Sequence, residues 1–477
     1  MRPASTTFTD AYVEAFEAFK AEYPHYEATH RIDTVRARDF SRLDALNEVY
    51  LDYTGGGLYG EHQLNEHMAL LKKGIFGNPH SHNPSSLAST EMDEHARNFV
   101  LEYFHASPDE YVAIFTPNAS GALKLVGEAY PFDANSRYVL TFDNHNAVNG
   151  IREFARAKGA SITYVPVVAP DLRIDEHQLS KHLAQPNTRG HNLFVYPAQS
   201  NFSGVQHSLE WIERAHAFGW DVVLDAAAFV PTNRLDLSIH HPDFVPLSFY
   251  KMFGYPTGIG CLIARKAALK KLRRPWFSGG TIEIASVQAD RYQLAEGYRA
   301  FEDGTINYLG LPAVEIGLRY LCDIGLDVIH ERVASLTGWV LNVMASLRHS
   351  SGAPLVEVYG PRDTTMRGGT IAFNFHDPEG VVFDFHTVED EACRQKISLR
   401  TGCFCNPGAG EIALGLTQSD MSECFTYEER KSFEECLVAA KGKTAGAVRI
   451  SLGLVTNFHD VFRFIQFARL FLDRPSR

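Results

Sequence analysis

The sequence contains no long apolar run and no excess of basic charge. No stretch reaches the ~20 apolar residues that a membrane-spanning helix needs, so we expect no membrane segment. Residues 1–20 carry Asp10, Glu14 and Glu17 and no unbroken apolar run, so we expect no signal peptide. The 45 Lys and Arg residues against 57 Asp and Glu residues give a formal net charge of −12. That balance disfavours nucleic acid and anionic membranes as partners.

Cysteine is scarce, and its pattern is uninformative about disulfides. The chain has seven cysteines, an odd number, and no spacing suggests a disulfide framework. We therefore expect a cytoplasmic protein with reduced thiols. Internal repeats and low-complexity linkers are also absent. With 477 residues and 45% hydrophobic residues, the chain exceeds one ordinary globular domain, so we expect a large domain and a smaller one.

The central part of the chain alternates short apolar runs with amphipathic stretches. The alternation predicts an α/β fold with a mostly parallel sheet covered on both faces. We assign it to a large domain spanning residues 49–310. The predicted strands are Tyr111–Thr116, Arg137–Phe142, Ser161–Val167, Asn192–Tyr196 and Asp221–Asp225, and Gly121–Glu128 is predicted to be helical.

The two ends of the chain differ from this pattern. Residues 1–48 read as a helical arm, in which Tyr12, Phe16 and Phe19 recur at helical spacing. Residues 311–477 read as a smaller α+β domain against which the arm packs. The elements predicted there are a long helix over Leu311–Leu347, strands at Gly369–Phe375 and Ala447–Ser451, and a helix over Asp460–Asp473.

A phosphate site is one interpretation of the segment Thr116–Ala122, which follows a predicted strand and opens a predicted helix. The backbone N–H groups near Ala119 and the Ser120 hydroxyl could hold a phosphate at the helix N-terminus. Read by itself, the segment is more often an ordinary Ser- or Asn-capped helix start.

Asp225 and Lys251 provide two further parts of a possible site. Asp225 ends an apolar strand, where it could face a cationic ligand atom, hold a metal or cap a turn. Lys251 lies among aromatic and glycine residues, where desolvation would lower its pKa and free the amine for imine formation. A lone lysine is usually a solvated surface residue. Together with Asp225 and the phosphate turn, however, Lys251 completes the set that a pyridoxal phosphate (PLP) site requires.

The segment Arg400–Ala409 places Cys403 and Cys405 in a Gly/Pro-rich loop. The pair is a weak metal site, because no second Cys or His pair at ligand spacing completes it, and we expect no metal. A thiolate beside Arg400 would be a favourable nucleophile. The remaining interpretation is a pair of buried small hydrophobic residues.

Motifs in a fixed order extend the pattern over most of the chain. They are Tyr50–Gly57, Gly77–Ser81, Asp143–Ala147, Tyr196–Gly204, Phe301–Thr305 and Arg400–Cys405. With them the chain resembles the class V aminotransferase-fold PLP enzymes of the cysteine desulfurase group. Within that group it is most similar to the N-terminal desulfurase-like domain of molybdenum cofactor sulfurases. The resemblance implies the PLP-dependent transferase fold type I, with a seven-stranded sheet in the large domain.

The resemblance also implies how the cofactor is held. Lys251 binds PLP covalently and moves protons at the substrate, Asp225 pairs with the pyridinium nitrogen, and His145 stacks on the ring. Thr305 reaches the phosphate of a neighbouring subunit, which implies a homodimer. The residues expected to hold the phosphate within the same subunit are Ala119, Ser120, Ser248 and Tyr250.

The implied reaction converts L-cysteine, or a related amino acid, to L-alanine and a protein persulfide. Asn201 lies near the ring oxygen and the substrate, Arg449 clamps the substrate carboxylate, and Cys405 is the nucleophile that receives the sulfur. Whether Cys403 assists or replaces Cys405 is left open by the sequence.

Three departures from the family pattern affect the expected reaction. Ala228 stands where many desulfurases place Gln or His beside Asp225, and Gly410 stands where cofactor sulfurases often have a third Cys. The chain ends soon after Phe464 without the acceptor-binding domain of eukaryotic cofactor sulfurases, so we expect a separate sulfur acceptor. The alternatives are another PLP reaction (C–S lyase, selenocysteine lyase, epimerase or biosynthetic enzyme) and a non-catalytic sulfur-relay scaffold.

Overall fold

The computed structural model describes residues 5–79, 81–425 and 430–476. Residues 1–4 of the predicted arm and His80 of the Gly77–Ser81 motif lie outside the described residues. The strands are β1 (Val49–Tyr50), β2 (Tyr111–Thr116), β3 (Arg137–Thr141), β4 (Ser161–Val165), β5 (Val167–Val168), β6 (Arg173–Ile174), β7 (Asn192–Pro197), β8 (Asp221–Asp225), β9 (Phe244–Ser248), β10 (Gly260–Arg265), β11 (Ile282–Ser286), β12 (Arg291–Leu294), β13 (Val356–Tyr359), β14 (Thr370–Phe375), β15 (Ile397–Ser398), β16 (Arg400–Gly402) and β17 (Ala447–Ser451).

Helices cover both faces of the main sheet and form the two ends of the described chain. They are α1 (Ser5–Glu22), α2 (Arg31–Asp39), α3 (Ser41–Ala45), α4 (Glu61–Lys73), α5 (Pro84–Tyr103), α6 (Ala119–Ala129), α7 (Asn146–Asn149), α8 (Ile151–Ala157), α9 (Glu176–Leu183), α10 (Trp211–Ala217), α11 (Phe249–Phe253), α12 (Lys266–Leu269), α13 (Pro312–Ile324), α14 (Leu326–Ser346), α15 (Phe385–Arg394), α16 (Pro407–Ala413), α17 (Gln418–Cys424), α18 (Arg430–Lys441) and α19 (Phe458–Arg469). Two 3₁₀ turns span Pro24–Thr29 and Gly297–Phe301.

The main sheet has seven strands in the order β2-β10-β9-β8-β7-β3-β4. The pairs from β9 through β8, β7 and β3 to β4 are parallel, and β10 is antiparallel to both of its neighbours. Every residue of β7, β8 and β9 is buried, as expected for strands covered on both faces. The predicted α/β fold with a mostly parallel seven-stranded sheet is confirmed.

Alternate side chains of the sheet enter two different cores. Val222 of β8 belongs to the larger core and Val223 to the smaller one, which α6 and α8 cover. Neighbouring residues of a strand point to opposite faces, so a nearly unbroken apolar strand serves both cores. This explains why the sequence signal was a continuous apolar run without alternation.

A second sheet of four strands, in the order β13-β14-β17-β16, lies in the C-terminal part of the chain. Phe19 of α1 packs against Trp339 of α14 and Phe458 of α19, so the N-terminal arm contacts helices from residues 311–477. The buried pair between Arg36 and Asp460 adds a second connection, with Nη2 and Oδ1 3.0 Å apart. The exact domain boundaries stay a prediction.

The predicted single helix over Leu311–Leu347 is wrong, because the structure breaks it at Gly325. Gly325 has φ = 87°, in the left-handed region, and separates α13 from α14. A Cβ atom at this position would lie 2.5 Å from Arg31 Nη2. The left-handed backbone therefore favours glycine here, and apolar periodicity could not reveal the break.

The expectation that no disulfide is present is also wrong. Cys424 at the end of α17 is bonded to Cys436 of α18, with Cα atoms 5.8 Å apart. The bond closes a local helical hairpin rather than a framework, so cysteine spacing carried no signal for it. Within the described ranges no helix is long and apolar enough to cross a membrane. The same residues include no group of three or more His, Cys, Asp and Glu side chains arranged to hold a metal.

Candidate active site

A cavity of about 150 Å³ lies where the parallel strands of the main sheet end. In such a sheet the carboxyl ends of neighbouring strands and the helix N-termini that follow converge on one edge. The cavity brings together most of the residues predicted for cofactor binding. Those that line it are Ala119, Ser120, His145, Asn201, Asp225, Ser248, Tyr250 and Lys251.

One end of the cavity is the N-terminus of α6. Asn118 caps the helix, accepting a hydrogen bond from the Gly121 N–H at 2.9 Å. The Ala119 N–H donates to Ser248 Oγ at 2.9 Å, which ties the helix start to the end of β9. Helix N–H groups and two hydroxyls, those of Ser120 and Ser248, therefore border this end, a setting that favours a phosphate.

Glycine at position 260 allows this close packing of β2, β10 and β9. Gly260 pairs with Thr116 on one side and with Ser248 on the other. A Cβ atom at position 260 would lie 2.5 Å from Asn118 Cα. The start of β10 therefore lets the Asn118 turn approach Ser248, and the two halves of the phosphate end meet.

Lys251 lies on α11, the short helix that directly follows β9. Burial lowers the pKa of its amine below the ordinary lysine value, and the nearby negative charge of Asp225 partly opposes that effect. Among the described residues, none lies within hydrogen-bonding or ion-pairing distance of the Lys251 Nζ atom. A desolvated amine without a protein partner is suited to react with a carbonyl group.

Asp225 and His145 border the same cavity from β8 and the turn after β3. Asp225 is buried, and its Oδ1 accepts the Ala227 N–H at 3.1 Å. His145 Nδ1 accepts the Ala147 N–H at 3.0 Å, so a neutral His145 ring carries its proton on Nε2. Burial lowers the pKa of His145, Asp225 raises it and Lys251 lowers it further. The ring is therefore held neutral near pH 7.

These features fit PLP as a ligand of the cavity. An anion-binding helix end, a buried carboxylate and an unpartnered amine correspond to the phosphate, the ring nitrogen and the aldehyde of that cofactor. The neutral His145 ring adds a flat surface at the cavity wall.

The loop with the two cysteines (the Cys405 loop, residues 403–406) is docked on the main sheet. Cys403 and Cys405 are exposed and Phe404 between them is buried, so the pair is not part of the hydrophobic core. The Asn146 N–H donates to the Cys405 carbonyl and Asn201 Nδ2 to the Phe404 carbonyl, both at 2.7 Å. Both Phe404 and Cys405 have φ = 55°, a left-handed turn that presents the thiol to solvent.

Arg449 is buried on β17 and does not line the cavity. Its Nη2 donates to Asp52 at 2.9 Å and its Nη1 to the Asn201 carbonyl at 3.0 Å. Burial lowers the pKa of Arg449, while Asp52 and, more weakly, Cys405 raise it. Arg400 also pairs with Asp52, at 2.6 Å. That hydrogen bond is the main reason that the pKa of Arg400 is raised, and Cys405 raises it to a smaller extent.

Thr305 lies apart from the other predicted residues. It lines a different cavity, of about 600 Å³, and its hydroxyl accepts a hydrogen bond from Asn78 Nδ2 at 3.2 Å. Its predicted contact with a neighbouring subunit's phosphate stays a prediction.

The site also contains polar residues that the sequence analysis missed. Gln199 lines the Lys251 cavity, Asp52 binds both arginines, and Asn406 anchors the Cys405 loop. Asp52 and Asn406 lie within or beside the quoted motifs, but their partners are far away in sequence. Ala228 borders the cavity without a polar side chain, and the polar side chain of Gln199 lines the same cavity.

Known structures share this architecture. The apo cysteine desulfurase of Thermococcus onnurineus NA1 aligns with a TM-score of 0.75 and 24% identity, covering 92% of this chain and 98% of that one. The C-DES protein, solved as a variant with glycine covalently linked to its PLP cofactor, aligns with a TM-score of 0.67 and 16% identity, covering 91% and 98% of the two chains. At these identities the likeness establishes the fold.

Sequence comparison adds the family. The molybdenum cofactor sulfurase of Solanum lycopersicum is 36% identical over 94% of this chain and 58% of its own length. The chain thus spans somewhat more than half of that curated relative. The family model described as Aminotransferase class-V matches residues 49–464, which include every residue of the cavity, Cys405 and Arg449. The chain therefore belongs to the class V aminotransferase family.

Proposed function

We propose that the protein is a PLP-dependent cysteine desulfurase that forms a persulfide on Cys405. The observation that carries the proposal is the placement of an exposed thiol on a loop anchored beside a cavity with a desolvated lysine amine. The family match and the PLP-bearing C-DES structure support the cofactor. The sulfurase relatives and the desulfurase-like fold support sulfur transfer.

PLP, when bound, supplies an electron sink for the electrons released at the substrate α-carbon. Lys251 would hold it, Asp225 would face its ring nitrogen, and Ala119, Ser120, Ser248 and Tyr250 would hold its phosphate. The Lys251 amine, neutral at lower pH than an ordinary lysine, accepts the proton from the α-carbon. Arg449 Nε is buried without an acceptor among the described residues, and we assign it to the substrate carboxylate.

Cys405 performs the sulfur transfer. Its thiolate attacks the sulfur of L-cysteine, and a new S–S bond forms as the substrate C–S bond breaks. The electron pair of that bond stays on the β-carbon, which gains a proton to give L-alanine. The guanidinium groups of Arg400 and Arg449 are close enough to the Cys405 sulfur to interact with it electrostatically.

A homodimer is the assembly we propose, and it would bring Thr305 to the partner's cofactor. Trp276, which lines the 600 Å³ cavity with Thr305, is half exposed, and Val287 on the turn between β11 and β12 is 99% exposed. A partner subunit over this face would bury both. A cytoplasmic location stays a prediction, because the Cys424–Cys436 disulfide removes the argument from cysteine usage. The sulfur acceptor, in this proposal, is a separate molecule.

Incubating the holoenzyme with L-cysteine and a reductant, and measuring alanine and sulfide, tests the reaction. We expect equal amounts of both products and their near-complete loss in Cys405→Ser, with Cys403→Ser as the matched control. Without reductant, peptide mass mapping should find one additional sulfur on Cys405. Sustained turnover by Cys405→Ser would instead establish a lyase that needs only Lys251. Additional sulfur on Cys403 would show that Cys403, and not Cys405, is the nucleophile.

A further inference from the structure

Asp52 joins two arginines that the small sheet places side by side. Arg400 of β16 and Arg449 of β17 are directly paired across their strands, so their side chains leave the same face. Two like charges in that position repel each other. Asp52 lies between them, accepting from Arg449 Nη2 at 2.9 Å and from Arg400 Nη2 at 2.6 Å. We call these three residues the Asp52 bridge.

The bridge requires a glycine next to it. A Cβ atom on Gly55 would lie 2.5 Å from Asp52 Oδ2 and 2.7 Å from Arg400 Nη2. The Thr-Gly-Gly-Gly turn after Asp52 therefore leaves room for both guanidinium groups to reach one carboxylate. This close approach is the physical reason for glycine at position 55.

The bridge also contacts the Cys405 loop. The Arg449 guanidinium stacks over the Phe404 ring, with 4.7 Å between its carbon and the ring centroid. Its Nη1 donates to the Asn201 carbonyl, and the amide of Asn201 donates to the Phe404 carbonyl at 2.7 Å. The orientation of Arg449 and the position of the loop are thus connected through the same few atoms.

Arg449 is less fully paired than Arg332, and it shares an unpaired buried Nε with other buried arginines such as Arg97 and Arg367. Arg332 is also buried, and all three of its nitrogens donate to Thr29 or Asp33. Arg449 keeps a buried Nε without an acceptor among the described residues. Asp52 therefore orients the Arg449 guanidinium while its Nε–H group stays free to donate a hydrogen bond to a ligand.

We propose that Asp52 is a positioning residue that holds Arg449 for the substrate carboxylate and keeps the Cys405 loop docked. The inference rests on the proposed function, in which Arg449 binds that carboxylate. Asp52 acts through the two arginines and touches no reacting atom.

Asp52→Asn in the holoenzyme tests the proposal, since it keeps the shape and removes the charge. We expect the KM for L-cysteine to rise by ~10²-fold, with a smaller fall in kcat, as for other losses of substrate positioning. We also expect iodoacetamide to alkylate Cys405 faster, as measured by peptide mass mapping. Asp52→Glu should recover part of the KM. Asp33→Asn, the matched loss of a carboxylate beside a buried arginine, should lower thermal stability and leave KM unchanged.

Arg400→Gln provides a second variant if Asp52→Asn does not fold, because the Arg400 side chain is half exposed and the Arg449–Asp52 bond remains. It should lower hydrogen-exchange protection in the peptides with residues 403–411, with little change in KM. A folded Asp52→Asn with wild-type KM and alkylation rate would overturn the proposal, and so would an Arg400→Gln variant with wild-type protection in those peptides.

The two proposals fail in different ways. If the wild-type enzyme forms no alanine from L-cysteine, the proposed function is wrong. Asp52 is then judged by the Cys405 alkylation rates and by titration of the cofactor absorbance with L-alanine. A weaker response to L-alanine in Asp52→Asn would support its role toward carboxylates, and an equal response would refute it.

Discussion

Replacing Asn406 with alanine tests how the Cys405 loop is held on the main sheet. Asn406 is fully buried, and its Nδ2 donates to the Asp143 carbonyl at 2.7 Å and to Asn201 Oδ1 at 2.8 Å. Its Oδ1 accepts the Ala409 N–H at 3.2 Å. With ~1 kcal/mol net for each hydrogen bond, the two bonds to Asp143 and Asn201 contribute ~2 kcal/mol to the docked state, and the bond from Ala409 caps α16. Local opening should therefore become ~30-fold more frequent in Asn406→Ala.

Hydrogen exchange measured by mass spectrometry is the appropriate assay, because it reports local opening peptide by peptide. Protection should fall in the peptides with residues 403–411 and 143–150, since the Asn146 N–H donates to the Cys405 carbonyl. Asn457→Ala is the control, because Asn457 caps α19 by accepting the Asp460 N–H at 3.0 Å. It should affect only the peptides of that helix. Unchanged protection around Cys405 in Asn406→Ala would refute the hydrogen-bond account of loop docking.

Three further predictions follow from other parts of the molecule. Burial lowers the pKa of Lys251, so at pH below this lowered pKa the folded cofactor-free protein contains a desolvated ammonium group. Lys251→Met should therefore raise the melting temperature of the cofactor-free protein. This increase in melting temperature should become smaller as the pH rises toward ~10.4, where the lysine is neutral in the unfolded chain as well. A gain that grows with pH would contradict the assignment. The Thr305→Val and Lys251→Ala variants should each be inactive alone. If each active site takes residues from both subunits, activity should return when the two variants are mixed to form heterodimers, and if each site lies within one subunit, no activity should return. Replacing Cys424 and Cys436 with serine should destabilise the α17–α18 hairpin by ~3 kcal/mol, measured by hydrogen exchange, because the disulfide closes a short loop.

Local sequence patterns predicted five of the seven strands of the main sheet, and they missed β9 and β10. The predicted strand Asp221–Asp225 matches β8, and the predicted strand Tyr111–Thr116 matches β2. Because parallel strands end at one edge, this was enough to expect that Asp225 and the start of α6 would meet, and Lys251 was placed with them as the remaining part of a PLP site. His145, Asn201, Ser248 and Tyr250, which line the same cavity, were expected from the family resemblance.

Other features depended on single residues and on packing between elements. The break at Gly325 follows from the left-handed backbone of that residue, and the Cys424–Cys436 bond follows from the packing of two adjacent helices. Neither leaves a periodic signal in the sequence. Gln199 was missed because an uncharged amide gains a role only from the cavity it faces.

The sequence by itself determined five strands of the main sheet, the desolvated setting of Lys251 and the Gly/Pro-rich loop with Cys405. These properties arise from the polarity and backbone preferences of neighbouring residues. Only the tertiary structure decided that Asp52 lies between Arg400 and Arg449 and that Asn406 anchors the loop. Charge pairs and buried hydrogen bonds act over a few ångströms in space, between residues that are hundreds of positions apart in the chain.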